Sequence, residues 1–186
     1  MEMDYFEAGQ KQTVEFIEKL PEGVRAELID GEVYYMATPS VTHQRVLGRL
    51  YLQIASYILE RKGKCEVFLA PFAVYLMNDI KNYVEPDLCV ICNSDKLDNK
   101  GCHGAPDWAI EIVSPGSKHM DYILKLKEYK KAGVREYWIV DTDEQKVVVY
   151  DFEHEDMKQY SFSEQVPAGI YEDFRIDFSE IAALLL

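Results

Sequence analysis

Trp108-Ala109-Ile110-Glu111-Ile112-Val113 is an apolar run interrupted by a single acid, and the turn Ser114-Pro115-Gly116-Ser117 follows it. A short continuous apolar run bounded by turn residues reads as a buried strand. An ionised carboxylate inside such a strand does not survive without a partner. Two other stretches can deliver one: Pro86-Asp87, which opens the strand Leu88-Cys89-Val90-Ile91, and a lysine-bearing helix predicted from about Lys118 to Ala132. Two acids and a lysine brought together suggest a divalent-metal site.

The polar residues of that helix are ordered by its period. Ser117 is placed to cap its start and Gly133 to stop it. At about 100° per residue, Ile123, Lys127, Lys130 and Lys131 share the solvated side. The opposite arc carries Asp121, Lys125, Tyr129 and Ala132, with Tyr122 and Leu126 flanking. Of the helix's lysines, Lys125 alone faces the sheet. An Asp121/Lys125 pair at i,i+4 could also serve only to support the helix.

A second Pro-Asp, Pro106-Asp107, competes for the role of metal ligand. Asp107 and Glu111 share a strand face, but four residues at about 3.3 Å each separate their Cα atoms by about 13 Å. A magnesium ion takes its oxygens at about 2.1 Å, so these two cannot easily share one. Asp87, arriving from a different strand, can. Asp107 is expected to be a solvated strand start, with Pro106 marking the boundary.

Pro86-Asp87, then Glu111 with Ile112-Val113-Ser114-Pro115-Gly116-Ser117, then Asp121, Lys125, Tyr129, and Gly133-Val134-Arg135-Glu136-Tyr137-Trp138-Ile139-Val140-Asp141 together resemble a bacterial family named the putative restriction endonuclease family. It belongs to the PD-(D/E)XK nuclease superfamily. The resemblance extends upstream to Glu27-Leu28-Ile29-Asp30-Gly31-Glu32 and to the helix beginning near His43, so it covers most of the chain. It implies a restriction endonuclease-like fold, with Asp87 and Glu111 holding a magnesium or manganese ion and Lys125 as the lysine of the site. The chain departs from the superfamily's standard spelling, because the position two residues after the acid is Val113 rather than lysine. The family the chain resembles carries its lysine on the helix instead, in agreement with the inward phase of Lys125.

Phosphodiester hydrolysis explains these residue types. It needs a nucleophilic water, stabilised charge on the phosphate oxygens and a protonated leaving oxygen. An ion on Asp87 and Glu111 would polarise the phosphate and lower the pKa of a bound water, while Lys125 would orient that water or stabilise the developing charge. Glu27, on the first strand, is either a further acid of the site or an ordinary hairpin residue before the Asp30-Gly31 turn. Tyr129 is a second-tier candidate whose plainer role is a core tyrosine with its hydroxyl bonded. Asp121 stands in the same tier.

The remaining chain reads as a single domain over residues 1–186, an α/β fold with a mixed central β-sheet flanked by helices. With 186 residues and 48% hydrophobic content it can bury a real core. Expected elements are a helix near Val14 to Leu20, a hairpin from Ala26 to Ala37 and a long helix from about Val41 to Arg61. Strands are expected near Glu66 to Leu69, Ala73 to Leu76, Leu88 to Ile91, Glu136 to Val140 and Val147 to Phe152. The acidic opening Met1-Glu2-Met3-Asp4-Tyr5 lacks the apolar core of a signal peptide, and no run has the length of a membrane span, so a cytoplasmic location is expected. Cys65, Cys89, Cys92 and Cys102 form no spacing framework and are expected reduced. Cys89 and Cys92 lie in one predicted strand and point to opposite faces, which argues against a zinc knuckle. Cys102-His103 could add ligands, but buried thiols are the better expectation. The apolar tail Ile181-Ala182-Ala183-Leu184-Leu185-Leu186 is expected to dock on the body or on a second subunit, and a homodimer would set two sites on two DNA strands.

A net charge of −13 sits awkwardly with a DNA partner. Residues 141–186 hold 12 acids and 3 bases, a balance of −9 that leaves −4 for the rest. Near the proposed site the sign reverses, with Lys118, Lys125, Lys127, Lys130, Lys131 and Arg135 against Asp121 and Glu128. Arg45, Arg49 and the cluster Arg61, Lys62 and Lys64 offer a second basic strip. Arg45, Arg49 and Lys118 are the residues expected to touch nucleic acid, unless these are only solvated helix faces. The expectation is a metal-dependent DNA endonuclease; its rival is a catalytically inactive module that keeps the fold for protein or nucleic-acid interaction.

Overall fold

The computed structural model describes residues 11–185, apart from the side chain of Asn78. The acidic opening at residues 1–5 and the last residue of the apolar tail lie outside the described residues. In chain order the elements are α1 (Val14–Glu18), β1 (Ala26–Ile29), β2 (Glu32–Tyr35), α2 (Val41–Glu60), β3 (Glu66–Leu69), β4 (Val74–Tyr75), β5 (Leu88–Ile91), β6 (Cys102–His103) and β7 (Trp108–Val113). A π-helical segment (Met120–Lys125) then runs into α3 (Leu126–Ala132), followed by β8 (Glu136–Asp141), β9 (Lys146–Asp151), β10 (Asp156–Ser161), β11 (Gln165–Pro167), β12 (Arg175–Asp177) and α4 (Ser179–Ala182).

Six strands form the central sheet in the order β10-β9-β8-β7-β5-β3. Every neighbouring pair in it is antiparallel except β7 and β8. A parallel pair cannot be joined by a tight turn and needs a crossover. The helix carrying Lys125 is that crossover, so the topology itself lays it across one face of the sheet. Both faces are covered, and β7 and β8 are accordingly buried along their whole lengths.

Strand alternation divides the core in two. Trp108, Ile110 and Ile112 pack against Val46, Leu47, Leu50, Ile54 and Ile58 of α2, whose spacing presents one apolar stripe. Ala109 and Val113 point to the other face, toward Tyr129 and Val134. Glu111 lies in phase with these and so points beneath the helix rather than toward α2. The β1–β2 hairpin turns at Asp30 and Gly31, both at positive φ, as the two-residue turn requires.

Two features differ from the sequence expectation. The strands β10 to β12 and helix α4 were not foreseen, because β10 is an exposed edge strand with no apolar run and gains its order from pairing with β9. Cys65 and Cys92 form a disulfide instead of remaining reduced. Antiparallel pairing of Glu66 with Ile91 carries the residues just beyond them, Cys65 and Cys92, opposite one another. Cys89 and Cys102 are buried thiols as expected, and burial pushes the Cys89 thiol well up from its ordinary range. The described part of the tail docks on the body: Ile181 is fully buried and Ala182 and Leu185 pack beside it. Among the described residues no helix is long and apolar enough to cross a membrane.

Candidate active site

The register of β5 on β7 pairs Leu88 with Ile110, which sets Asp87 opposite Glu111 one step further along. The backbone N–H of Asp87 donates to Glu111 Oε2 at 3.4 Å, and that of Ile112 donates to Asp87 Oδ2 at 2.7 Å. From the crossover helix Lys125 Nζ reaches Glu111 Oε1 at 2.9 Å, while the Tyr129 hydroxyl donates to the same oxygen at 2.7 Å. Glu27 arrives from β1. Its Oε2 lies 2.9 Å from Lys125 Nζ and its Oε1 accepts from the Glu85 N–H at 2.8 Å. Asp121 Oδ1 stands 3.9 Å from the same ammonium. Asp87, Glu111, Lys125, Glu27, Asp121 and Tyr129 are therefore brought into one cluster.

The inward phase of Lys125 holds although the helix begins with a π segment, because four residues make roughly one turn in either geometry and Asp121, Lys125 and Tyr129 stay on one face. Ile123, Lys127, Lys130 and Lys131 are exposed, as the phase requires. Glu128 breaks the simple reading. It is buried, with Lys131 at 3.5 Å and Lys127 at 3.7 Å from its carboxylate. Glu27 is a member of the cluster rather than an ordinary hairpin residue. Asp107 is not a solvated strand start: it accepts from the Cys92 N–H at 2.7 Å and from Arg135 at 3.3 Å, tying β5 to β7 away from the cluster.

His43 is the residue that sequence reasoning missed. It sits in the first turn of α2 with Nε2 3.0 Å from Asp87 Oδ2. A histidine near a helix start carries no local signal of what lies across the fold from it.

Burial dominates the electrostatics. It pushes the Glu111 carboxyl well above the ordinary carboxylate range, with Lys125 opposing and the neighbouring acids adding to the rise. The Asp121 carboxyl is raised to about 6 for the same reason, again against Lys125. Burial alone would lower the Lys125 ammonium, but Glu111, Glu27 and Asp121 outweigh it and hold the pKa well above the usual lysine value. Three acids thus surround one ammonium, with Asp87 beside Glu111.

Among the described residues no three His, Cys, Asp or Glu side chains already form an ion cage. The donor set nonetheless fits a hard divalent cation. Magnesium is commonly held by one or two carboxylates, with water and phosphate completing the shell, and the cluster has more negative charge than its one lysine can balance. Asp87 is its most accessible acid, at 16% exposure against 4% for Glu27, Glu111 and Asp121.

The raised Asp121 pKa has a measurable consequence. A carboxyl that ionises near 3.8 when unfolded and at about 6 when folded favours the fold below about pH 4 and loses that contribution as pH rises through 6. At about 1.4 kcal/mol per unit the loss is on the order of 3 kcal/mol. Asp121→Asn should therefore flatten the decline in stability of the metal-free protein between pH 4 and 7, as read by urea unfolding. An unchanged slope would show that Asp121 ionises normally.

The expected basic strips are largely neutralised. Lys118 is held by Asp141 at 3.0 Å and Glu144 at 3.1 Å, and Arg49 by Glu180 at 3.6 Å, so neither is a free phosphate contact. Arg61 pairs with Asp173 at 2.6 Å. Arg45 is exposed two residues from His43 and is the basic residue of the expected set that stays available.

A family profile described as Putative restriction endonuclease (Uma2) matches residues 13–179. The chain belongs to this family. The matched span contains every cluster residue from Glu27 to Tyr129. The fold agrees as well: the crystal structure of a putative nuclease belonging to DUF820 from Anabaena variabilis superposes with a TM-score of 0.77 at 22% identity, covering 94% of this chain and 99% of the other. A comparison with curated proteins found no match. The cluster therefore sits in a mixed α/β, nuclease-like fold, with Lys125 on the crossover helix.

Proposed function

We propose that the protein is a divalent-metal-dependent endonuclease that hydrolyses DNA phosphodiesters. One observation carries this reading: a buried ammonium lies 2.9 Å from both Glu27 and Glu111, and Glu111 stands opposite the more accessible Asp87. A purely structural ion pair would not need three further acids.

Asp87 and Glu111 would hold magnesium or manganese, which when bound supplies Lewis acidity and a lowered pKa for a bound water. The chain's own groups do the rest. Tyr129 and Lys125 fix Glu111 Oε1, and Ile112 N–H fixes Asp87 Oδ2, so the acids are oriented before substrate arrives. Lys125 stabilises the negative charge that develops on the phosphate oxygens or orients the attacking water, in a site with little bulk solvent to screen it. Glu27 keeps the ammonium seated and protonated. A homodimer would present two such sites to the two strands of a duplex.

The rival reading, an inactive nuclease-fold interaction module, draws on the net charge of −13 and the neutralisation of Lys118 and Arg49. Incubation with supercoiled plasmid and single-stranded DNA separates the two. Cleavage is expected with millimolar magnesium or manganese and none with EDTA. Intact DNA under every metal condition would favour the inactive module.

A further inference from the structure

His43 is built into the cluster in a way that constrains its protonation. Ser40 Oγ accepts from the His43 N–H at 3.1 Å, which fixes the start of α2, and the imidazole turns inward with 12% of its side chain exposed. Its Nε2 lies 3.0 Å from Asp87 Oδ2, while Nδ1 is buried with no hydrogen-bond partner among the described residues. A hydrogen on Nδ1 would be a buried donor with nowhere to go. The hydrogen therefore belongs on Nε2, which donates to Asp87 Oδ2.

The same oxygen also accepts from the Ile112 N–H at 2.7 Å. One donor comes from the sheet and the other from α2, on the opposite side of the core from the crossover helix. Two donors on Oδ2 fix the rotation of the carboxylate of the most accessible acid of the cluster.

We propose that His43 is a positioning residue: its Nε2–H clamps Asp87 Oδ2 so that Oδ1 is presented to a divalent cation. This rests on the metal-dependent reading above. Partners that orient a ligating carboxylate characteristically contribute about 10–100-fold in metal affinity or activity.

The test uses the full-length protein, with Mn2+ alone as the probe. Calorimetric titration should show His43→Leu binding Mn2+ about 10–100-fold more weakly than the wild type. His43→Gln, whose amide nitrogen can take the place of Nε2, should stay within a few-fold. Nitrogen-15 NMR of the wild-type imidazole should show the hydrogen on Nε2 in the metal-free protein. Equal Mn2+ affinity in wild type and His43→Leu, a Gln variant as weak as the Leu variant, or a hydrogen on Nδ1 would each overturn the clamp while leaving the metal site standing. Wild-type protein that shows the Nε2–H tautomer but takes up no Mn2+ would overturn the metal-dependent reading, and the role assigned to the clamp with it.

Discussion

Lys125→Met is expected to destabilise the fold by about 3–5 kcal/mol and to lower cleavage by on the order of 100-fold or more. Methionine keeps most of the alkyl stem, so packing changes little. What disappears is the charge that Glu27, Glu111 and Asp121 all face. Breaking a buried ion pair from one side strands the other partner, and here three acids are stranded at once. Their readiness to bind a proton, already raised at Glu111 and Asp121 by burial, limits the cost without removing it. A double variant, Lys125→Met with Glu111→Gln, should recover part of the lost stability, since removing both charges spares the uncompensated one. Lys127→Met is the control: that side chain is 75% exposed and its loss should change neither stability nor cleavage appreciably. Urea unfolding and plasmid cleavage read the two effects separately. A Lys125 variant as stable as the wild type would show that the acids are neutral in the native protein. Normal cleavage by that variant would remove the lysine from the chemistry.

Asp87→Asn should abolish the response to metal with little cost to the fold. The asparagine carbonyl can still accept from the Ile112 N–H and from His43, so the strand junction is preserved. The carboxylate that would bear the ion is gone. In the wild type, metal that binds only the native state adds RT ln(1 + [L]/Kd), about 2.7 kcal/mol at a hundredfold excess over Kd. Millimolar magnesium or manganese should therefore raise the melting temperature of the wild type and leave that of Asp87→Asn where it was, with cleavage lost in parallel. An equal thermal shift in both proteins would take Asp87 out of the metal site.

Much of this arrangement was legible beforehand, for reasons particular to the elements involved. The run around Glu111 is apolar on both faces, so it had to be a doubly covered strand, and an acid within it had to find a partner. The period of the following helix put Lys125 inward and Lys127 outward from spacing alone. Strands with weak patterns were not legible: β10 has a solvated face along nearly its whole length, and only its pairing with β9 orders it. The basic strips misled because a lysine's sequence neighbours do not reveal the acid that folding brings against it, as Glu144 and Asp141 are brought to Lys118.

The sequence by itself determined the elements of the centre: which residues are strand or helix, which acid is buried, and which lysine faces it. These follow from periodicity and the cost of burying charge, both local properties of the chain. The tertiary structure alone decided the membership of the site. Glu27, His43, Asp87 and Lys125 come from four separate segments, and no spacing rule links them. The parallel pairing of β7 with β8 forces the crossover that lowers Lys125 onto Glu111, the antiparallel register of β5 sets Asp87 opposite it, and packing of β1 and α2 adds Glu27 and His43. Distances across such junctions are fixed by registers and packing, which sum contributions from the whole chain and are written in no single stretch of it.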